Sequence, residues 1–156
     1  MDSFSAVTDP GRKRKNNQDS ILADPAVGIY VVADGVGGRL GGDRASALCV
    51  EIFKQRAPAL QHLVSHHARD PGEGRRNQVL EAVDSVCQEA SRAVYEMGIE
   101  EGFPGTSTTL ALALVGGGFV FVAHAGDSRV YLYRSELLRR LTEDHRMVNE
   151  LVNQGK

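Results

Sequence analysis

Asp34 and Gly35 close an apolar run, residues 29–33, that reads as a strand buried inside a sheet. A carboxylate at the mouth of such a strand has lost much of its water and needs a compensating charge, most simply a hard metal ion. Gly35, Gly37 and Gly38 let the backbone pass close to whatever sits there. A helix is predicted after Gly41-Gly42, with Asp43 in its first turn, where the helix dipole favours an acid. Strand, acidic tip, glycine turn and helix together describe a site. A hairpin at Asp34-Gly35 would need a second strand directly after it, and a helical pattern follows instead. A dinucleotide fingerprint would need glycine where Leu40 stands, and no Gly-Lys-Ser/Thr follows for a phosphate-binding P-loop.

The second chemically loaded stretch is Arg12-Lys13-Arg14-Lys15, which runs through Asn16, Asn17 and Gln18 to Asp19. Taken by itself it is a solvated basic loop. Nucleic acid is disfavoured as a partner, because the run lacks interleaved aromatics and the chain carries 18 basic against 20 acidic residues, a net charge of -2. His62 and His66 lie one helical turn apart beside His67, yet no carboxylate or cysteine sits at ligand spacing, so these histidines read as a solvated helix end. Cys49 and Cys87 fall on apolar stripes and are expected to be buried free thiols.

The elements that must hold these residues fit one domain of 156 residues. Strands are expected at 4–8, 29–33, 106–115, 119–125, 129–133 and 137–141, with residues 20–23 leading into a turn at Asp24-Pro25. Apolar residues recur at helical spacing over 43–56, where Pro58 should end the helix, and over 77–98. A flexible loop is expected at about 57–77, and a last helix from Asp144 with Gly155 as its cap. Hairpin links between the strands make this an α+β fold with antiparallel sheets. No run is apolar enough to span a bilayer and no signal peptide is evident, so no membrane association and a cytoplasmic location are expected.

Five segments, in order, resemble one family: residues 11–20 (Gly-Arg-Lys-Arg-Lys-Asn-Asn-Gln-Asp-Ser), 32–38 (Val-Ala-Asp-Gly-Val-Gly-Gly), 105–109 (Gly-Thr-Ser-Thr-Thr), 125–129 (Ala-Gly-Asp-Ser-Arg) and 141–145 (Leu-Thr-Glu-Asp-His). Together they are similar to the PPM-type (type 2C) metal-dependent serine/threonine phosphatases of bacteria. The resemblance implies an antiparallel β-sandwich flanked by helices in α-β-β-α layers, with two Mn²⁺ or Mg²⁺ ions in a cleft and a third, weaker site. On that resemblance Asp34 bridges the two metals and Gly35 gives its carbonyl to one of them. Arg14 holds the substrate phosphate, Asp19 accepts hydrogen bonds from water on the metals, and Asp127 belongs to the third site, while 106–109 and Asp144-His145 are structural. Gln18 stands where many members carry Glu, and Val36 where Met or His is usual. The family continues beyond the position of Lys156 to two further aspartate ligands, so the chain is expected to be a C-terminally incomplete phosphatase domain. Two functions follow from the resemblance. One is hydrolysis of phosphoserine and phosphothreonine in a phosphoprotein, opposite a bacterial serine/threonine kinase and without a phosphoenzyme. The other is a truncated relative of weak or no activity that binds phosphoproteins or partners. Oligomeric state is left open.

Overall fold

The computed structural model describes residues 3–14, 16–36 and 41–145. Its main sheet is five-stranded and antiparallel, in the order β1 (Asp19–Asp24), β2 (Ile29–Val36), β4 (Leu110–Gly116), β5 (Phe119–Ala125), with β3 (Ser107–Thr108) pairing the end of β2. β6 (Tyr131–Arg134) and β7 (Leu137–Arg140) form a separate two-stranded sheet. Between β2 and β3 the chain makes a helical hairpin, α1 (Gly42–Arg69) and α2 (Glu73–Glu100). The α+β class and the antiparallel pairing are as expected.

The core lies between this hairpin and one face of the sheet. Ile29 pairs across with Leu114 and Val31 with Leu112, so these side chains share a face, and all four are buried. Phe53 and Leu60 of α1 and Val79, Val83 and Val94 of α2 close over them. β2 is central in the sheet, but only one of its faces is covered among the described residues. Its burial alternates strictly, and Val32 on the other face is 47% exposed. The run 29–33 is apolar on both sides, which periodicity reads as burial on both sides.

Three further expectations are corrected. Residues 57–77 are not a flexible loop: α1 continues through Pro58 to Arg69, and only Asp70, Pro71 and Gly72 separate the helices. Pro58 is exposed, on the side where water can serve the carbonyl that its missing N–H leaves free. An ion pair from Arg56 to Glu89, at 2.8 Å, ties α1 to α2 on their outer surface. His67 is not at a solvated helix end but buried, with its ring edge-on to Phe119 and Phe121. Residues 4–8 form no strand: Phe4 is 53% and Val7 85% exposed, and a lone strand without a ladder partner has nothing to hold it. Of the helix expected from Asp144, Asp144 and His145 are described and are not helical, and the rest, with its cap at Gly155, lies outside the described residues. The cysteines are both free; Cys49 is buried and Cys87 half-buried, and loss of water pushes each thiol up to about 11, so both stay protonated near neutrality.

Candidate functional site

Antiparallel pairing of β1 with β2 sets Asp19 directly opposite Asp34. Cross-strand partners project to the same face, so two carboxyl groups meet at one end of the ladder. Burial raises the Asp34 carboxyl above the ordinary carboxylate range, and the Asp19 charge and a hydrogen bond shared with Asp19 raise it further. Arg14 pulls in the opposite direction, and Asp127 adds to the rise. Three of the expected site residues, Arg14, Asp19 and Asp127, thus act on the charge of a fourth, Asp34. Arg14 and Asp127 are exposed, so they face an approaching solute rather than the core.

The backbone around Asp34 is fixed from three directions. Its N–H donates to Thr109 Oγ1 at 2.9 Å, and its carbonyl accepts from the Thr109 N–H at 2.9 Å. Thr109 Oγ1 also lies 2.6 Å from Ser128 Oγ, so one threonine couples Asp34 to the residue that follows Asp127. On the other side the Gly35 N–H donates to the Gln18 carbonyl at 2.9 Å, tying the end of β2 to the residue before Asp19. Ser46, in the first turns of α1, donates to the same Gln18 carbonyl at 2.7 Å and lies 2.9 Å from the Ser20 hydroxyl. Gly35 is required by crowding: a Cβ there would meet the Gly42 carbonyl oxygen at 1.9 Å and the Gln18 carbonyl oxygen at 2.7 Å.

The turn carrying Asp127 is anchored separately. Arg129 grips Asp144 with two hydrogen bonds of 2.8 and 2.6 Å, and the His145 N–H donates to the Gly126 carbonyl at 2.9 Å. Asp144 and His145 therefore hold the loop rather than face the cleft. The expected strand 129–133 starts only at Tyr131, because Arg129 is turned to this anchor. Thr109 and Ser128 lie in two of the five segments that carry the resemblance, Ser46 in none, and in no case does the sequence show which residue each one holds. Their partners lie 75, 28 and 19 positions away, beyond the reach of any local pattern.

The donors present are carboxylates and a backbone carbonyl, the hard oxygen ligands of Mg²⁺ and Mn²⁺. The Asp34 carboxyl is raised first by burial and then by the Asp19 charge, against the pull of one arginine, and a bound cation would favour its charged form. In kind, then, the residues fit a divalent metal. In number they are few: among the described residues no three histidine, cysteine, aspartate or glutamate side chains come together as a ready metal site.

Residues 11–155, spanning every one of these groups, match the family described as Protein phosphatase 2C. The chain belongs to the protein phosphatase 2C family. It is 30% identical over 156 residues to protein phosphatase PhpP of Streptococcus pneumoniae, covering 98% of this chain and 59% of that protein. The crystal structure of the serine/threonine phosphatase PstP/Ppp of Mycobacterium tuberculosis superposes with a TM-score of 0.75 at 30% identity, over 97% of this chain and 58% of that one. The catalytic domain of PstP in complex with two manganese ions gives 0.76 at the same identity, over 97% and 59%. This 2C-type chain therefore spans about three-fifths of the length of the relatives it matches.

The carboxylate pair makes a prediction for the 2C-type scaffold without metal. A carboxyl raised in the folded state binds protons that the unfolded chain has already released. Stability is then full below the unfolded value and declines as pH rises through the raised one. At neutral pH Asp34→Asn removes that repulsion and should stabilise the metal-free protein by about 0.5 kcal/mol, or roughly 1–2 °C in Tm. The gain should vanish in acid, where the native carboxyl is itself protonated. Thermal melts of both proteins in chelator at two pH values read this directly, and a lower Tm for the variant at neutral pH would contradict the charge balance described.

Proposed function

We propose that this chain acts as a metal-dependent serine/threonine protein phosphatase, removing phosphate from phosphoserine and phosphothreonine. The observation that carries the reading is the pairing of Asp19 opposite Asp34 across β1 and β2, with Arg14 and Asp127 near enough to act on the Asp34 charge. Asp34 and the Gly35 carbonyl would hold Mn²⁺ or Mg²⁺, with Asp127 at a third, weaker site and water filling the remaining positions. Bound divalent ions supply a lowered pKa for water and neutralise phosphoryl charge.

The chain's own groups do the rest. The Arg14 guanidinium, exposed beside the carboxylates, presents two parallel N–H donors to two phosphoryl oxygens and sets the ester in place. Asp19 accepts a hydrogen bond from the attacking water and orients it. As the water oxygen bonds to phosphorus, the bond from phosphorus to the serine oxygen breaks, and water's proton is released to solvent. Val36, 55% exposed and without a proton to give, leaves the departing alkoxide to take its proton from solvent. Rate here rests on positioning and charge, which is what phosphoryl transfer demands. The proposed setting is cytoplasmic signalling, with a phosphorylated protein as substrate and a bacterial serine/threonine kinase as the opposing activity.

A second reading, phosphopeptide binding without turnover, is favoured by one observation: the scarcity of metal ligands among the described residues. Hydrolysis of para-nitrophenyl phosphate and of a phosphothreonine peptide separates the two. The phosphatase reading expects Mn²⁺-dependent turnover reduced at least about a hundredfold by Asp34→Asn and weakened substrate binding in Arg14→Ala. Peptide binding that needs Arg14, with no turnover at any Mn²⁺ concentration, would establish the second reading instead.

A further inference from the structure

β5 ends the main sheet, and among the described residues nothing pairs with its outer edge. The opposite edge, β1, carries Asp19 and Asp24 at its two ends, charges that discourage further strand pairing. β5 has none of that protection. Its sequence, Phe-Val-Phe-Val-Ala-His-Ala, contains no lysine, acid or proline, and it pairs with β4 in unbroken register along all seven residues. A long, regular, uncharged edge is a template for another strand.

This edge lies in a groove of about 600 Å³ lined also by the start of α2 and by His67. The groove lies along the first half of β5, whereas Asp127 follows the strand's other end. Phe119 and Val120 are 36% and 44% exposed in it, and Leu80 of α2 is 44% exposed beside them. Glu73 and Arg76 stand on the α2 wall, one turn apart and both exposed. Neither takes an ion pair with a described residue of its own chain, whereas the neighbouring Arg75 is spent on Asp70.

We propose that this edge is a self-association surface, in which β5 of one protomer pairs antiparallel with β5 of its partner to make one continuous sheet. A two-fold axis perpendicular to the sheet keeps both helical layers on the same side and turns the two α2 walls toward each other. A wall that carries one acid and one base is its own complement under that axis: Glu73 of each protomer meets Arg76 of its partner, twice per dimer. The alternating apolar side chains of β5 continue their pattern across the new ladder, and Leu80 is covered at the junction. The partner is committed by this self-complementarity of charge; an unrelated peptide strand would satisfy the backbone edge but has no reason to match the wall.

Sedimentation velocity over a wide range of protein concentration tests the proposal. The wild-type chain should form a dimer. Val120→Lys, which places a charge on the edge, should raise the dissociation constant about tenfold or more, with an unchanged far-UV circular dichroism spectrum. Glu73→Arg alone should weaken the dimer similarly, because it sets like charges opposite at two places, and Glu73→Arg combined with Arg76→Glu should restore it to within about threefold. The charge pair sits at exposed helical positions, so it decides the matter even if Val120→Lys disturbs the strand. A wild type that stays monomeric throughout overturns the proposal. So does a dimer indifferent to the charge swap, which would use another surface such as the open face around Val32.

Discussion

Gly35→Ala is expected to be the most damaging single-methyl substitution in this chain. The added Cβ would stand 1.9 Å from the Gly42 carbonyl oxygen and 2.7 Å from that of Gln18. Both obstacles are backbone, one at the start of α1 and the other beside β1, so neither can swing away as a side chain would. To admit the methyl group, either α1 must withdraw its first turn or β2 must leave its hydrogen bond with Gln18. Overpacking with side-chain relief costs about 1–3 kcal/mol, and a clash with two backbone segments belongs at or above the upper end, about 3 kcal/mol. For a chain of this size that is roughly a 6–12 °C fall in Tm. Either movement also displaces Asp34, so the phosphatase activity proposed above should fall even below the melting range. Gly74→Ala is the control: a Cβ there meets nothing within 4 Å, and alanine suits the start of α2 better than glycine, so Tm should hold or rise slightly. Equal melting of Gly35→Ala and wild type would refute the close approach.

Arg129→Ala should rank second. Its guanidinium holds both oxygens of Asp144, whose side chain is 8% exposed, and Arg140 reaches the same carboxylate at 3.6 Å. Breaking a fully buried pair costs about 3–5 kcal/mol, but Arg129 is itself 37% exposed and Arg140 remains, so about 2 kcal/mol is expected here. The larger consequence is positional. The Arg129–Asp144 clamp holds the Asp127 turn against residues 141–145 together with the Gly126–His145 hydrogen bond and the bonds of Val130 to Leu141 and Thr142. Loosening it should lower apparent Mn²⁺ affinity more than it lowers activity at saturating Mn²⁺. Arg129→Lys, which keeps the charge but not the two-pronged grip, should recover stability only in part. Loss of activity that saturating metal does not relieve would show that Arg129 touches the reaction itself.

The centre of the fold was legible because its signals are local. An apolar run that ends in Asp34-Gly35 and gives way to a helical stripe can be read within eighteen residues, and the start of β2 and of α1 at Gly42 appear where that reading puts them, although β2 runs on past Asp34 to Val36, where β3 pairs with it. Turn chemistry misled where packing overrode it. Pro58 and the Asp70-Pro71-Gly72 cluster suggested a long loop, but the buried stripe of Phe53, Leu60 and Val64 carries α1 past the proline and leaves a three-residue turn. His67 shows the same limit: its neighbours Phe119 and Phe121 are reached only once β5 folds beneath the helix end. Arg14 and Asp127 could be singled out by resemblance, but no spacing places them near Asp34. That proximity comes from strand register and from Thr109, which hydrogen-bonds the Asp34 backbone and the Ser128 hydroxyl together.

The central claim is that Asp34 stands among like charges because a divalent cation belongs there. Calorimetric titration of Mn²⁺ into the wild-type chain and into Asp34→Asn, both stripped with chelator, tests it most directly. The account predicts saturable binding by the wild type and at least about a tenfold loss of affinity in the variant, despite the variant's equal or higher stability without metal. Identical binding by the two proteins, or none by either, would contradict it.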